Sequence, residues 1–182
     1  MAAGGISAII GLSLQDTTAI LEKECLRSIC RINSNNEYCH IFCGEKEELE
    51  HFNQQAMEAD AINAITLDAS LPYHHPQLSD NIKDPFSDFL KSISWRSAQY
   101  PLISTLDQRL LSEPDELIQF TADHLCSPIN WSKTVERLYD KGCTQFYECG
   151  PGISLTQNAR FIAGKAKWIN TQNIEANFSN NS

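Results

Sequence analysis

The sequence predicts a mixed α/β (α+β) fold whose first third is a β-α-β-β-α-β module. Three observations lead there: four short apolar runs within residues 1–69, helical spacing between the first and second and between the third and fourth, and an Asn/Ser cluster between the second and third. Ser7-Ala8-Ile9-Ile10-Gly11-Leu12 reads as a buried strand ending in a turn. Asp16 to Cys25 places Ala19, Ile20 and Leu21 on one side, with Leu26 beyond, which is a helical pattern. Ser28 to Ile32 is the second strand, closed by the turn formers Asn33-Ser34-Asn35-Asn36. Tyr38 to Cys43 alternates as a third strand up to Gly44, Glu45 to Ala59 carries Leu49, Phe52 and Met57 as a second helix, and Ile62 to Leu67 is the fourth strand. This order is the split βαβ of ferredoxin-like modules.

The remainder reads differently. Leu71-Pro72-Tyr73-His74-His75-Pro76 is a loop, because each proline fixes its own φ and restricts the residue before it. Pro85 to Trp95 is an amphipathic helix with Phe86, Phe89, Leu90 and Ile93 expected inward, and Pro101 to Thr105 is a short strand. Glu113 to Leu125 is a helix, with Ser112 as the expected cap and Pro114 in its first turn. Asn130 to Tyr139 is another, stopped by Gly142. Thr144 to Glu148 is a strand entering Gly150-Pro151-Gly152, a last helix starts near Ser154, and Lys165 to Ile169 is an edge strand. From Thr171 the chain is polar and Asn/Ser-rich, as frayed tails are. The expected organisation is a small subdomain over 1–69, a second one over 70–170, and a tail over 171–182.

Charge excludes one class of partner. The net charge is −9, concentrated in residues 1–90, which hold 14 acidic and 5 basic side chains. Nonspecific nucleic-acid binding requires a basic surface, so no nucleic-acid partner is expected. Residues 91–170 hold 8 acidic and 9 basic side chains, and Lys133, Arg137 and Lys141 recur there at helical spacing. They form either a positive stripe for an acidic partner or a solvated helix face. No apolar run approaches the roughly 18 residues of a membrane span, and the N-terminus lacks a basic n-region. No membrane partner is expected, and the expected compartment is the cytoplasm.

The seven cysteines are odd in number and lie among apolar residues, as reduced thiols do. A metal centre would draw on Cys39-His40-x-x-Cys43 with Cys25 or Cys30. Strand geometry separates Cys39 from Cys43 by two steps along one face, so the plain expectation is no metal and no cofactor.

Six segments then match one family in order. Ser7 to Leu12 resembles the start of the small subdomain in malonyl-CoA:acyl-carrier-protein transacylases. Asn33-Ser34 through Cys43-Gly44 resembles that family's Asn-Ser-Pro … Val-Ile-x-Gly hairpin, and Ser70-Leu71-Pro72-Tyr73-His74 resembles its Ser-Val-Pro-Ser-His loop. Pro101-Leu102-Ile103-Ser104 resembles the strand that follows. Leu125 to Trp131 resembles Leu-x-x-Pro-Val-x-Trp, and Phe146 to Gly152 resembles a Tyr-Glu-x-Gly-Pro-Gly segment. Each motif alone is weak, whereas six in order over about 160 residues are not a chance pattern. Polyketide-synthase acyltransferases share the pattern.

The resemblance implies a ferredoxin-like subdomain (βαββαβ) beside the C-terminal part of an α/β-hydrolase-like acyltransferase subdomain. It implies acyl transfer from malonyl-CoA to the thiol of an acyl carrier protein through a serine acyl-enzyme, in fatty-acid or polyketide biosynthesis. His74 falls at the family's catalytic base; a loop histidine kept for packing is the plain alternative. His124 stands where relatives carry glutamine, at a place whose main-chain carbonyl orients the base. Ser104 stands where relatives often carry asparagine; His124 and Ser104 are thus substrate-pocket candidates. Lys133, Arg137 and Lys141 become carrier-binding candidates, while Trp131 and Tyr147 read as core.

No Gly-x-Ser-x-Gly elbow occurs in the chain. Gly4-Gly5-Ile6-Ser7-Ala8 offers a serine, but ahead of a strand instead of on a strand-to-helix turn. The expectation is a truncated acyltransferase, inactive alone. The alternatives are half of a split enzyme, completed by a chain that bears the elbow, or a non-catalytic carrier-binding module. A parallel sheet without its first strands exposes apolar surface, so a homo-oligomer or a complementing chain is also expected.

Overall fold

The computed structural model describes residues 4–67, 73–162 and 164–171 and is a mixed α/β structure. Its first part runs β1 (Gly4–Ile10), α1 (Leu14–Lys23), β2 (Cys30–Asn36), β3 (Cys39–Glu45), α2 (Lys46–Glu58) and β4 (Asn63–Leu67). The four strands form one antiparallel sheet in the order β2-β3-β1-β4. Ser13 starts α1 through a capping box with Asp16, which satisfies helix-end N–H groups that have no partner within the helix. Gly11 follows β1 at φ +101°, and a Cβ there would meet Ile62 N at 2.6 Å, so glycine is required.

Register assigns each face its task. Ser7 pairs with Phe42 and Ile9 with His40, which puts these four side chains on one face. That face packs against the helices through a core of Ile9, Phe42, Leu49, Phe52 and Ala56. Phe42 and Phe52 meet edge to face, with ring centroids 4.9 Å apart. The opposite face carries Ile6, Ile32 and Cys43, with Cys30 and Ile41 beside them. Ile129 N–H donates to Ile32 carbonyl (3.0 Å) and Arg31 donates to Ile129 carbonyl (3.2 Å), tying that side to the rest of the chain.

The remainder continues through a 3-10 turn (Pro76–Leu78) and a π turn (Ser79–Lys83) into α3 (Asp84–Lys91), then β5 (Leu102–Ile103), β6 (Leu110–Leu111), α4 (Pro114–Cys126) and α5 (Trp131–Asp140). It ends with β7 (Gln145–Glu148), α6 (Ser154–Asn158), a 3-10 turn and β8 (Lys167–Asn170). β5 and β6 form a two-stranded hairpin, and β7 pairs parallel with β8. No helix among the described residues is long and apolar enough to cross a membrane.

Several expectations need correction. The second strand runs through Asn33–Asn36, which the sequence marks as a turn. Register shifts at Arg31/Asn33 and Ser34/Asn36 absorb the irregularity, and Ser34 Oγ lies 2.9 Å from His40 Nδ1 across the strands. The helix after the prolines is shorter than Pro85–Trp95: Leu90 is buried and Phe86 half-buried, while Phe89 is 59% exposed and Ile93 44%. Glu113, not Ser112, is the cap residue of α4, and Glu116 accepts both their N–H groups. Tyr147 is 54% exposed instead of core. Residues Ser70 to Pro72 of the expected loop, and the tail beyond Thr171, lie outside the described residues.

Candidate functional site

The last turn of α4 leaves main-chain carbonyls without partners inside the helix. Two of them, His124 and Leu125, are satisfied by one residue. His74 N–H donates to Leu125 carbonyl (2.9 Å) and His74 Nδ1 lies 2.6 Å from His124 carbonyl. His74 adopts a left-handed backbone, φ 60°, which lets its amide and its ring address consecutive carbonyls.

A carbonyl oxygen only accepts, so Nδ1 carries the proton and Nε2 presents its lone pair. That is the tautomer a general base needs. Among the described residues no serine hydroxyl or cysteine thiol hydrogen-bonds that nitrogen. Ser7 is fully buried in β1, with its Oγ bonded to Asn53 Oδ1 at 2.5 Å, so it is not an exposed nucleophile.

Around the imidazole, Tyr73 and His124 stand edge-on, with centroids at 5.6 and 4.6 Å. Burial, then the neighbouring His74, hold the His124 ring below the usual histidine range, so it stays neutral at neutral pH. Phe120 packs on its other side at 5.2 Å. Lys83 pairs with Asp123 at 2.6 Å and binds the π turn to α4, one residue before the carbonyl that holds the base.

The predicted residues are distributed unequally. The fold brings His74 and His124 together. Ser104 is 1% exposed and its Oγ accepts from Leu106 N–H (3.2 Å) and Asp107 N–H (3.3 Å), so it organises the β5–β6 turn. No hydrogen bond or ring contact joins it to either histidine among the described residues. Lys133 and Arg137 lie four residues apart on α5, and Lys141 is its C-cap. All three are exposed, and none forms an ion pair among the described residues.

Sequence reasoning missed the carboxylate of Glu148. It is buried and accepts from Leu155 N–H (2.9 Å), Thr156 N–H (3.0 Å) and Thr156 Oγ (2.6 Å). Burial works against its ionisation, yet those donors hold it below the usual carboxylate range. The bonds close the Gly150-Pro151-Gly152 turn, where Gly150 and Gly152 sit at φ 145° and 89°. The one available signal was an acidic residue ahead of a glycine-rich turn and a helix start. Two open concavities, of about 760 and 680 Å³, are lined by Leu90 to Gln99 residues and by the Tyr139–Trp168 region; His74 lines neither.

No protein-family model matches the chain. Among curated proteins it is 28% identical over 158 residues to the malonyl CoA-acyl carrier protein transacylase of Salmonella typhimurium, covering 84% of this chain and 50% of that protein. It is 28% identical over 155 residues to the polyketide biosynthesis malonyl CoA-acyl carrier protein transacylase BaeC of Bacillus velezensis, covering 84% and 53%. Among solved structures, a malonyl-transacylase in complex with its type II polyketide acyl-carrier protein superposes at TM-score 0.84, with 24% identity, over 93% of this chain and 55% of that one. The transacylase of Coxiella burnetii also gives 0.84, with 24% identity, over 93% and 54%. Curated and structural neighbours thus name the malonyl-CoA:acyl-carrier-protein transacylase family, and the chain spans about half the length of these relatives, as a C-terminal portion would.

Proposed function

We propose that this chain supplies the base-bearing part of an acyltransferase that moves malonyl from coenzyme A to an acyl-carrier-protein thiol. The observation that carries the reading is the His74 Nδ1–His124 carbonyl bond at 2.6 Å, which fixes the tautomer and aims Nε2 away from α4. In this reading β1 to β4 are the ferredoxin-like small subdomain over 1–69, and 70–170 are the C-terminal part of the large subdomain.

His74 Nε2 takes the proton of a serine hydroxyl that attacks the malonyl thioester, and the departing thiolate receives that proton. The same nitrogen then deprotonates the carrier thiol, whose sulfur attacks the malonyl-serine ester, and returns that proton to the serine oxygen as the ester C–O bond breaks. The serine comes from polypeptide outside these 182 residues, which hold no Gly-x-Ser-x-Gly. Lys133, Arg137 and Lys141 present an exposed positive stripe without carboxylate partners among the described residues, suited to docking an acidic carrier.

Co-expression with the serine-bearing half of a malonyl transacylase, followed by a malonyl-transfer assay, tests this. The pair is expected to transfer malonyl and the chain alone is not. His74→Ala in the pair is expected to lower the rate at least about 100-fold, the lower end of general-base contributions. Robust turnover by the chain alone, or an unchanged rate in the H74A pair, would overturn the reading.

A further inference from the structure

The sheet face turned away from α1 and α2 holds a group that no step of acyl transfer uses. Cys30 on β2 and Cys43 on β3 are direct cross-strand partners, and their Sγ atoms lie 3.6 Å apart. His75, the residue after the proposed base, is buried against them: a ring nitrogen and both sulfurs lie within 4.8 Å of one another. Ile6, Ile32 and Ile41 surround the two thiols. This is not the Cys39-His40-x-x-Cys43 set that sequence spacing considers. His40 points to the helix face with Ile9, and Cys39 stands two strand steps from Cys43.

We propose that Cys30, Cys43 and His75 form a binding site for a thiophilic divalent cation of the zinc class, which pins the His74 loop to the sheet. Two thiolates around tetrahedral zinc, with Zn–S of about 2.3 Å, sit about 3.8 Å apart, close to the separation that the strand register already imposes. The donor set, two soft sulfurs and an imidazole, excludes magnesium and calcium, which take oxygen ligands.

Charge balances as well. Binding releases two thiol protons to solvent, and two thiolates cancel the dication, which suits an apolar surrounding. His75 and His74 are consecutive, so a bond from His75 to the cation restrains the loop next to the base. The binding site does not depend on the acyl-transfer reading, and its test uses no activity assay.

The reduced, chelator-treated 182-residue chain would be titrated with Co2+ as a spectroscopic probe, then with Zn2+. Saturation at one ion per chain is expected, with thiolate-to-cobalt charge transfer and tetrahedral d–d bands that Zn2+ abolishes. Alkylation mapped by mass spectrometry should show Zn2+ protecting Cys30 and Cys43 and no other cysteine. Cys30→Ser and His75→Ala should each weaken Co2+ binding at least about 100-fold, beyond the loss typical of changing a residue that only hydrogen-bonds a ligand, while Cys39→Ser leaves it unchanged. Octahedral-only cobalt, bands retained in C30S, or protection at other cysteines would overturn the proposal. So would a Cys30–Cys43 disulfide in the isolated chain with no cobalt binding after reduction. Should C30S fail to fold, the protection map on the unaltered chain decides.

Discussion

Two phenylalanines that the sequence treats alike offer a direct test of the packing. Phe52 on α2 and Phe89 on α3 both lie on apolar helix stripes, so pattern alone predicts that both point inward. The fold separates them: Phe52 is 0% exposed and Phe89 is 59% exposed. Phe52→Ala deletes a ring held edge to face by Phe42 at 4.9 Å within the core that includes Ile9, Leu49 and Ala56. Large-to-small changes of this kind cost about 3–5 kcal/mol, because lost transfer energy and the residual cavity add. In a chain of this size each kcal/mol lowers Tm by roughly 2–4 °C, so F52A should melt about 6–20 °C below the parent. Phe89→Ala removes the same atoms from solvent and should cost no more than about 0.5 kcal/mol. Urea unfolding followed by circular dichroism measures both. A loss in F89A equal to that in F52A would show that the α3 stripe is buried in solution, and the described packing would be wrong.

Gly11→Ala should cost about 1–3 kcal/mol in the same urea assay, since φ +101° is unfavourable for alanine and its Cβ would meet Ile62 N at 2.6 Å. Burial holds His40 and His75 below the histidine range, so between their folded values and about 6.5 the unfolded chain binds more protons. Stability is therefore full above that range and falls as pH drops through it, by at most about 1.4 kcal/mol per pH unit for each group; unfolding midpoints from pH 7.5 downward check it. Glu148 has the same sign at lower pH: its depressed carboxyl contributes stability that is lost as pH falls through the folded value. Glu148→Gln should cost about 2 kcal/mol at neutral pH and flatten that acid limb. In a reconstituted enzyme, charge reversal of Lys133, Arg137 and Lys141 should weaken carrier binding at least about 10-fold and leave the melting temperature near the parent's, read by titration at two salt concentrations.

Sequence alone determined the order of elements in the first module, because apolar spacing and turn chemistry act over a few residues. Both helices and the four strands follow from such local rules, whereas the Ser13 capping box and the left-handed Gly11 emerged only in the structure. Local rules misplaced Asn33–Asn36, where pairing with β3 overrode turn preference, and Phe89, which stays 59% exposed while Leu90 beside it is buried. The His124 carbonyl that holds His74 was expected from the family resemblance alone; no local rule reaches it. A main-chain carbonyl 50 residues away leaves no side-chain signature, so its bond to Nδ1 exists only once α4 ends beside the loop. Likewise, Cys30, Cys43 and His75 come together through strand register and a loop crossing, and register is a property of paired strands rather than of either one.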